Sequence, residues 1–403
     1  MKNYSISKVP KLFQYFFKLE YSSGILLMLF AVIAIILANS DLSSIYNAAL
    51  HTDITIGIND SNFSMPISHI INDGLMAIFF FVVGMEIKKE MLFGELKSFK
   101  TTILPIAAAI GGMIVPAAIY AICNYGQSTI YGFGIPMATD IAFALGAISL
   151  VGKKAPRGIV VFLMTLAIVD DLGAIIVIVL FYTNTISWFY LFISAMVLIV
   201  LILANKFKVN SSAVFIILGI ILWFTILKSG VHATFSGVLL GMMIPATKDI
   251  ESFENSMLHK LEYKIAPWSS FVIMPIFALA NAGVVFNSSS LSTIMTTSVS
   301  VGIILGLFFG KPLGIFLISF ILVKLKIAKL PSNVNWIHMY GVSVLGGIGF
   351  TMSIFVSSLA FTDATILSTA KISIIVASLL SATFGLLIFK FIKPVDKKQN
   401  ITY

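Results

Sequence analysis

Residues 165–182 read TLAIVDDLGAIIVIVLFY. Asp170 and Asp171 are the only charges in this run, and their neighbours are mostly branched or aromatic. A helix on the surface of a soluble protein would carry a polar face at regular intervals. This run has none, so it reads as a membrane-spanning helix that holds two carboxylates at depth.

The rest of the chain agrees. Of 403 residues, 59 % are hydrophobic and 11 % charged, against about 25 % charged in an ordinary soluble domain. That much apolar surface cannot be hidden in one water-soluble core, and the expected class is an all-α polytopic membrane protein. The single cysteine, Cys123, excludes an internal disulfide and leaves the compartment open. The net charge of +9 comes from residues scattered through short loops, with no long basic tract, which argues against a nucleic-acid partner. No cleavable signal peptide is expected.

A span needs about 20 mostly apolar residues. Candidates lie at 21–39, 70–88, 102–123, 129–151, 157–182, 186–204, 211–228, 231–246, 264–285, 298–323, 335–360 and 367–392. Backbone groups in lipid must pair within their own segment, so these are helices. Alternating the loops places every lysine and arginine on one side except Lys228, Lys371 and the intramembrane Lys311. The opposite loops carry Asp41, Asp53, Asp60 and Asp363. The asymmetry supports about twelve spans with both termini cytoplasmic. Residues 1–20, with Lys2, Lys8, Lys11 and Lys18 among aromatics, read as an interfacial cytoplasmic segment. Residues 21–392 form one transmembrane domain, and 393–403 are a cytoplasmic tail.

Charges near the bilayer centre cost roughly 2.5–3.5 kcal/mol each on insertion scales and usually line a pathway. Neighbours on a helix point about 100° apart, so Asp170 and Asp171 can both face inward yet address different partners. Close buried carboxylates resist double ionisation, and their oxygens also suit a hard cation. One site could therefore take protons or a metal ion, but not both fully. Apolar sequence continues on both sides, which argues against helix capping. An ion pair with Lys311 would account for one aspartate and leave the other unneutralised. Lys311, between Gly310 and Pro312, would be a snorkelling lysine at a span end; here it lies deep in a span, which favours an interior aspartate as its partner.

Asp140 sits in GFGIPMATDIAFALG, after Gly132, Gly134 and Pro136 and next to Thr139. The other weak stretch is GVSVLGGIGFTMSIF, with Gly341, Gly346, Gly347 and Gly349. Two interrupted spans in different halves point to crossed broken helices, whose ends carry partial charges that an acid and a base would balance. Asp140 and Lys311 are available for that. Glycine for close helix packing is the plainer account of these glycines, and the adjacent Asp140 is what favours the broken-helix site. Asp73 begins the second span. Glu86 in EIKKE and Glu262 at the end of the loop 247–263 read first as charged helix ends, and His232 as a hydrogen-bonded interfacial histidine.

Several of these stretches, in order from about residue 20 to 390, resemble the NhaA family of bacterial sodium/proton antiporters: DGLMAIFFFVVGMEIKKE, GFGIPMATDIAFALG, LAIVDDLGAIIVIVLFY, SGVHATFSGVLLG, MPIFALANAGV, GKPLGIF and GIGFTMSIF. That family is itself an example of inverted-repeat transporters with midplane sites, so this architecture follows from the resemblance. The resemblance implies export of Na+ or Li+ driven by entry of more than one proton per cation, an inner membrane, often a dimer, and no cofactor. It implies that Asp171 is the main cation and proton carboxylate. Asp170 would share the site, or bridge to Lys311 and release it on cation binding. Thr139 and Asp140 would stand at the crossing, and Asp73 would line the cytoplasmic funnel. Glu86 and Glu262 would regulate with pH at the cytoplasmic mouth, and His232 would contribute to the pH response. The stretch HKLEYKIAPW departs from the family pattern, with Tyr263 and Ala266 where histidines are expected, so pH regulation could differ in midpoint.

Three other readings compete. A cation-coupled symporter of an organic solute would need more polar side chains at the midplane than this chain shows. An intramembrane aspartyl protease would need two face-to-face aspartates, and MATD and VDDLG do not match its motifs. A passive channel is poorly served by paired titrating carboxylates.

Overall fold

The computed structural model describes residues 8–58, 61–93, 99–183, 185–247, 249–285 and 296–392. Residues 1–7 of the expected interfacial segment, the tail 393–403, and Asp60, Lys97 and Lys248 lie outside them.

The first helix, α1 (Lys8–Ala38), runs unbroken through the boundary expected at residue 20. Its one proline, Pro10, falls in the first turn, where the missing N–H is not needed. After a 111° bend comes α2 (Ser43–His51). An antiparallel hairpin follows, β1 (Asp53–Ile58) with β2 (Ser61–Pro66), in the register Ile54↔Met65 and Ile56↔Phe63. The all-α expectation is corrected here. Ile54, Ile56 and Ile58 alternate with polar residues and glycine, a period of two that suits a strand.

The helices after the hairpin are α3 (Ile67–Phe93), α4 (Phe99–Cys123), a 3-10 helix Ser128–Met137 and α5 (Ile141–Val151). Then come α6 (Arg157–Phe181), α7 (Trp188–Lys206), α8 (Ser212–Ser229) and α9 (Thr234–Met243). The last are α10 (Met257–Asn281), α11 (Ser298–Lys324), α12 (Trp336–Leu345), α13 (Phe350–Ala360) and α14 (Ala364–Phe391). Among the described residues eight helices are long and apolar enough to cross a membrane, or up to 11 if each bent pair counts as one span. The expected span 231–246 is the 10-residue α9, shorter than a bilayer needs by itself.

Both expected interruptions are present. The 3-10 helix and α5 meet at 41°, and α12 and α13 at 45°. The first break follows Pro136 and leaves Ala138 and Asp140 extended. The second spans Gly346 to Gly349. Phe355 of α13 packs on Phe80 of α3 (centroids 5.7 Å apart) and Phe277 of α10 (6.2 Å), which fixes the interrupted helices inside the bundle. Away from this interior, α7 and α8 present Trp188, Phe189, Phe192, Ile217 and Ile220 outward, as lipid-facing helices do.

Candidate cation site at the helix crossing

The two breaks touch directly. The backbone N–H of Asp140 donates to Ile348 O at 2.7 Å, and the Ser353 hydroxyl donates to Ile135 O at 2.8 Å. Asp140 then serves two helix starts at once. Its Oδ1 accepts from Phe143 N at 3.0 Å, capping α5, and its Oδ2 accepts from Thr351 N at 3.0 Å and from the Thr351 hydroxyl, capping α13. A carboxylate here meets the positive ends of two helices.

Lys311 answers at a negative end. Its Nζ donates to Met137 O, the last carbonyl of the 3-10 helix, and lies 2.9 Å from Asp170 Oδ2. Both side chains are 0 % exposed. Its position has a backbone cause. Pro312 offers no N–H to the preceding turn, and the six residues before Lys311 widen into a π-turn, Leu305–Gly310. One turn on, Gly314 lies against the backbone of Gly111, so α11 and α4 approach more closely than any side chain would allow.

Asp170 Oδ2 also accepts from the Thr139 hydroxyl at 2.7 Å. That hydroxyl is 3.0 Å from Gly346 O as well, and its single proton serves one acceptor at a time. Asp171, the next residue on α6, is 3 % exposed. One oxygen of each aspartate, Asp170 Oδ1 and Asp171 Oδ1, has no hydrogen-bond partner among the described residues. Among those residues no group of three His, Cys, Asp or Glu is placed to hold a metal ion. A cation here would therefore depend on the paired carboxylates together with hydroxyl and carbonyl oxygens.

The structure thus brings together Asp170, Asp171, Asp140, Thr139 and Lys311. The other four residues divide between the two ends of α3. Glu262 on α10 is 5 % exposed and pairs with Lys89, one turn beyond Glu86, so it is not a solvated helix end. Asp73 stands apart from Glu86 and Glu262. It lies about 20 Å along α3 from Glu86, at 1.5 Å per residue. There it sits in a π-turn, 2.7 Å from His69 Nδ1. His232 lies at the same end, because α9 runs alongside α3 with Gly237 against Ala77 and Gly241 against Phe81. Its Nε2 is 2.9 Å from Tyr182 O. At the other end Lys88 donates to Met242 O (2.9 Å) and Ile244 O (2.6 Å), closing the C-terminus of α9.

Sequence reading missed Thr351, although it stands in the quoted stretch GIGFTMSIF. It also missed Tyr182, Lys88 and the Lys89–Glu262 pair. An aspartate directly before an apolar helical run was a readable cap signal for Asp140 on α5; its second cap, on α13, has no local signal.

Buried, mutually compensated charges where two interrupted membrane helices cross are the mark of a secondary transporter rather than an enzyme. A profile described as Na+/H+ antiporter 1 matches residues 14–389. The chain is 63 % identical over 399 residues to Na+/H+ antiporter NhaA 1 of Clostridium beijerinckii, covering 99 % of this chain and 100 % of that one. It is 46 % identical to the Na+/H+ antiporter NhaA of Pelagibacter ubique, with coverage of 96 % and 99 %. The chain belongs to the NhaA family. A solved structure of the sodium proton antiporter MjNhaP1 from Methanocaldococcus jannaschii superposes with a TM-score of 0.55 over 92 % of each chain at 13 % identity, a likeness of fold alone.

Proposed function

We propose that this chain exchanges cytoplasmic Na+ or Li+ for external H+, electrogenically and under pH control, with Asp170 and Asp171 binding protons or the cation in turn. The observation that carries this is the adjacent, wholly buried carboxylate pair, each with a free oxygen, beside the contact of two interrupted helices. A cation reaching Asp171 must displace its proton, because both cannot hold the same oxygens. If Asp170 then turns toward the cation, it leaves Lys311, whose ammonium loses its counter-charge and can give up a second proton. Two protons against one monovalent cation move net charge in each cycle, worth about 2.3 kcal/mol per 100 mV of membrane potential. Thr139 supports the carboxylates from the first break, and Asp140 holds the helix ends around them. Glu86 and Glu262 regulate at the mouth formed by α3 and α10, and His232 contributes from the opposite end.

The same proposal includes twelve spans, with each bent pair as one and α9 completing the set, arranged as inverted repeats in the inner membrane with both termini cytoplasmic. It also includes a homodimer, which light scattering of the detergent-solubilised protein tests.

The decisive assay uses inside-out vesicles from cells lacking their own antiporters. Respiration acidifies the lumen, and a pH-sensitive dye follows it. Na+ or Li+ should cause rapid alkalinisation, K+ and choline should not, and Asp171→Asn should abolish the response. A folded, inserted wild type that is silent at every pH would overturn the reading and favour a symporter.

A further inference from the structure

The 3-10 helix Ser128–Met137 is ten residues long, whereas runs beyond three or four residues are uncommon because the i→i+3 hydrogen bonds are poorly aligned. Something outside the segment must hold it, and two buried tyrosines are placed to do so. Tyr182 is the residue that ends α6. Its hydroxyl donates to Tyr131 O at 2.7 Å and accepts from Gly134 N at 3.1 Å. Residues 131 and 134 are a carbonyl and an N–H that a 3-10 ladder pairs with each other, so the hydroxyl bridges one rung of the ladder. Tyr120 on α4 makes a related contact two residues earlier. Its hydroxyl donates to Thr129 O at 2.9 Å and lies against Gly132, the i+3 partner of Thr129. In both cases the i+3 residue is glycine. At Gly134 a Cβ would stand 2.6 Å from the Tyr182 oxygen, so the phenol fits only because no side chain is there.

We propose that Tyr182 and Tyr120 are positioning residues that clamp this half-helix in its 3-10 register, and that this register sets the cation site. The segment ends at Met137, whose carbonyl receives Lys311, two residues before Thr139, whose hydroxyl reaches Asp170. The length at stake is large. Ten residues rise about 20 Å as a 3-10 helix and about 15 Å as an α-helix. Conversion of the segment would draw Met137 and Thr139 away from their partners by up to about 5 Å, far beyond hydrogen-bond reach. Tyr182 does not touch the carboxylates, since it is about 16 Å along α6 from Asp171. Tyr182 also joins the segment to His232 through its carbonyl.

The proposal rests on the crossing as the cation site, and its test separates the two. In the vesicle assay, Tyr182→Phe keeps the ring and removes the bridge. It should raise the apparent KM for Na+ roughly three- to tenfold, the effect of one buried neutral hydrogen bond, with the maximal rate within about twofold. Gly134→Ala should do at least as much, because its methyl meets the hydroxyl, and the double variant should be no worse than Tyr182→Phe alone. Independent, multiplying effects would overturn the clamp, as would an unchanged KM or a fall in rate with KM unaltered. Hydrogen exchange of the purified proteins reads the segment without transport. Amides within 131–138 should exchange faster in Tyr182→Phe, and equal protection would overturn the proposal. A wild type that ignores Na+ would count against the antiport reading, while hydrogen exchange would still decide the clamp.

Discussion

Replacing Lys311 by methionine removes the cation that pairs with Asp170. The ammonium lies 2.9 Å from Asp170 Oδ2, both side chains are inaccessible to solvent, and the same nitrogen closes the 3-10 helix at Met137 O. Without it Asp170 keeps only the Thr139 hydroxyl, 2.7 Å away. Breaking a buried ion pair by removing one partner typically costs about 3–5 kcal/mol, mostly through the charge left behind. At about 2 °C per kcal/mol, the lower figure for large domains, the midpoint of thermal unfolding should fall by about 6–10 °C. The size of the loss alone would not distinguish charge from packing. A second variant does. Asp170→Asn combined with Lys311→Met leaves an amide oxygen for Thr139 and no charge to compensate, so it should regain at least half of the loss. The assay is heating of purified protein in detergent, followed by gel filtration of what remains folded. If Lys311→Met melts with the wild type, or if the double variant is no more stable than the single, the pair is not what organises this part of the interior.

Ligand linkage gives a further check on Asp171. Na+ at 100 times its Kd should stabilise the wild type by about 2.7 kcal/mol, and Asp171→Asn should lose that gain while keeping its stability without Na+. Asp140→Ala strips the acceptors from Phe143 N and Thr351 N and should cost roughly 2 kcal/mol, about 1 per cap. Asp140→Asn retains one acceptor and should cost about half as much in the same melting assay. Glu262→Gln takes the charge from the buried partner of Lys89. It should leave transport in place and shift the pH at which vesicle alkalinisation is half-maximal; an unchanged profile would remove Glu262 from regulation.

Much of this arrangement could be read from the order of residues. The bilayer acts on each segment locally: about 20 apolar residues satisfy their own backbone as a helix whatever lies beside them. Hydropathy therefore located the segments, and the glycines and Pro136 marked both interruptions. Asp140, Asp170, Asp171 and Lys311 stood out because ionisable groups at depth are costly. The hairpin was overlooked because six residues of alternating Ile54, Ile56 and Ile58 are a weak signal beside runs of 20.

Tertiary structure decided the partners. The chain alone left Lys311 open between Asp140 and Asp170; in the fold it pairs with Asp170, while Asp140 caps two helices whose starts lie about 210 residues apart in the chain. Asp73 and Glu86 share a helix yet stand at opposite ends of it, and Glu262 is buried because α10 brings it to Lys89. Which segments enter the membrane is a sum over local transfer free energies. Which charges meet inside depends on close backbone approaches such as Gly111 with Gly314, on π-turns, and on tyrosine hydroxyls bonded to a neighbouring helix, none of which leaves a periodic trace in the sequence.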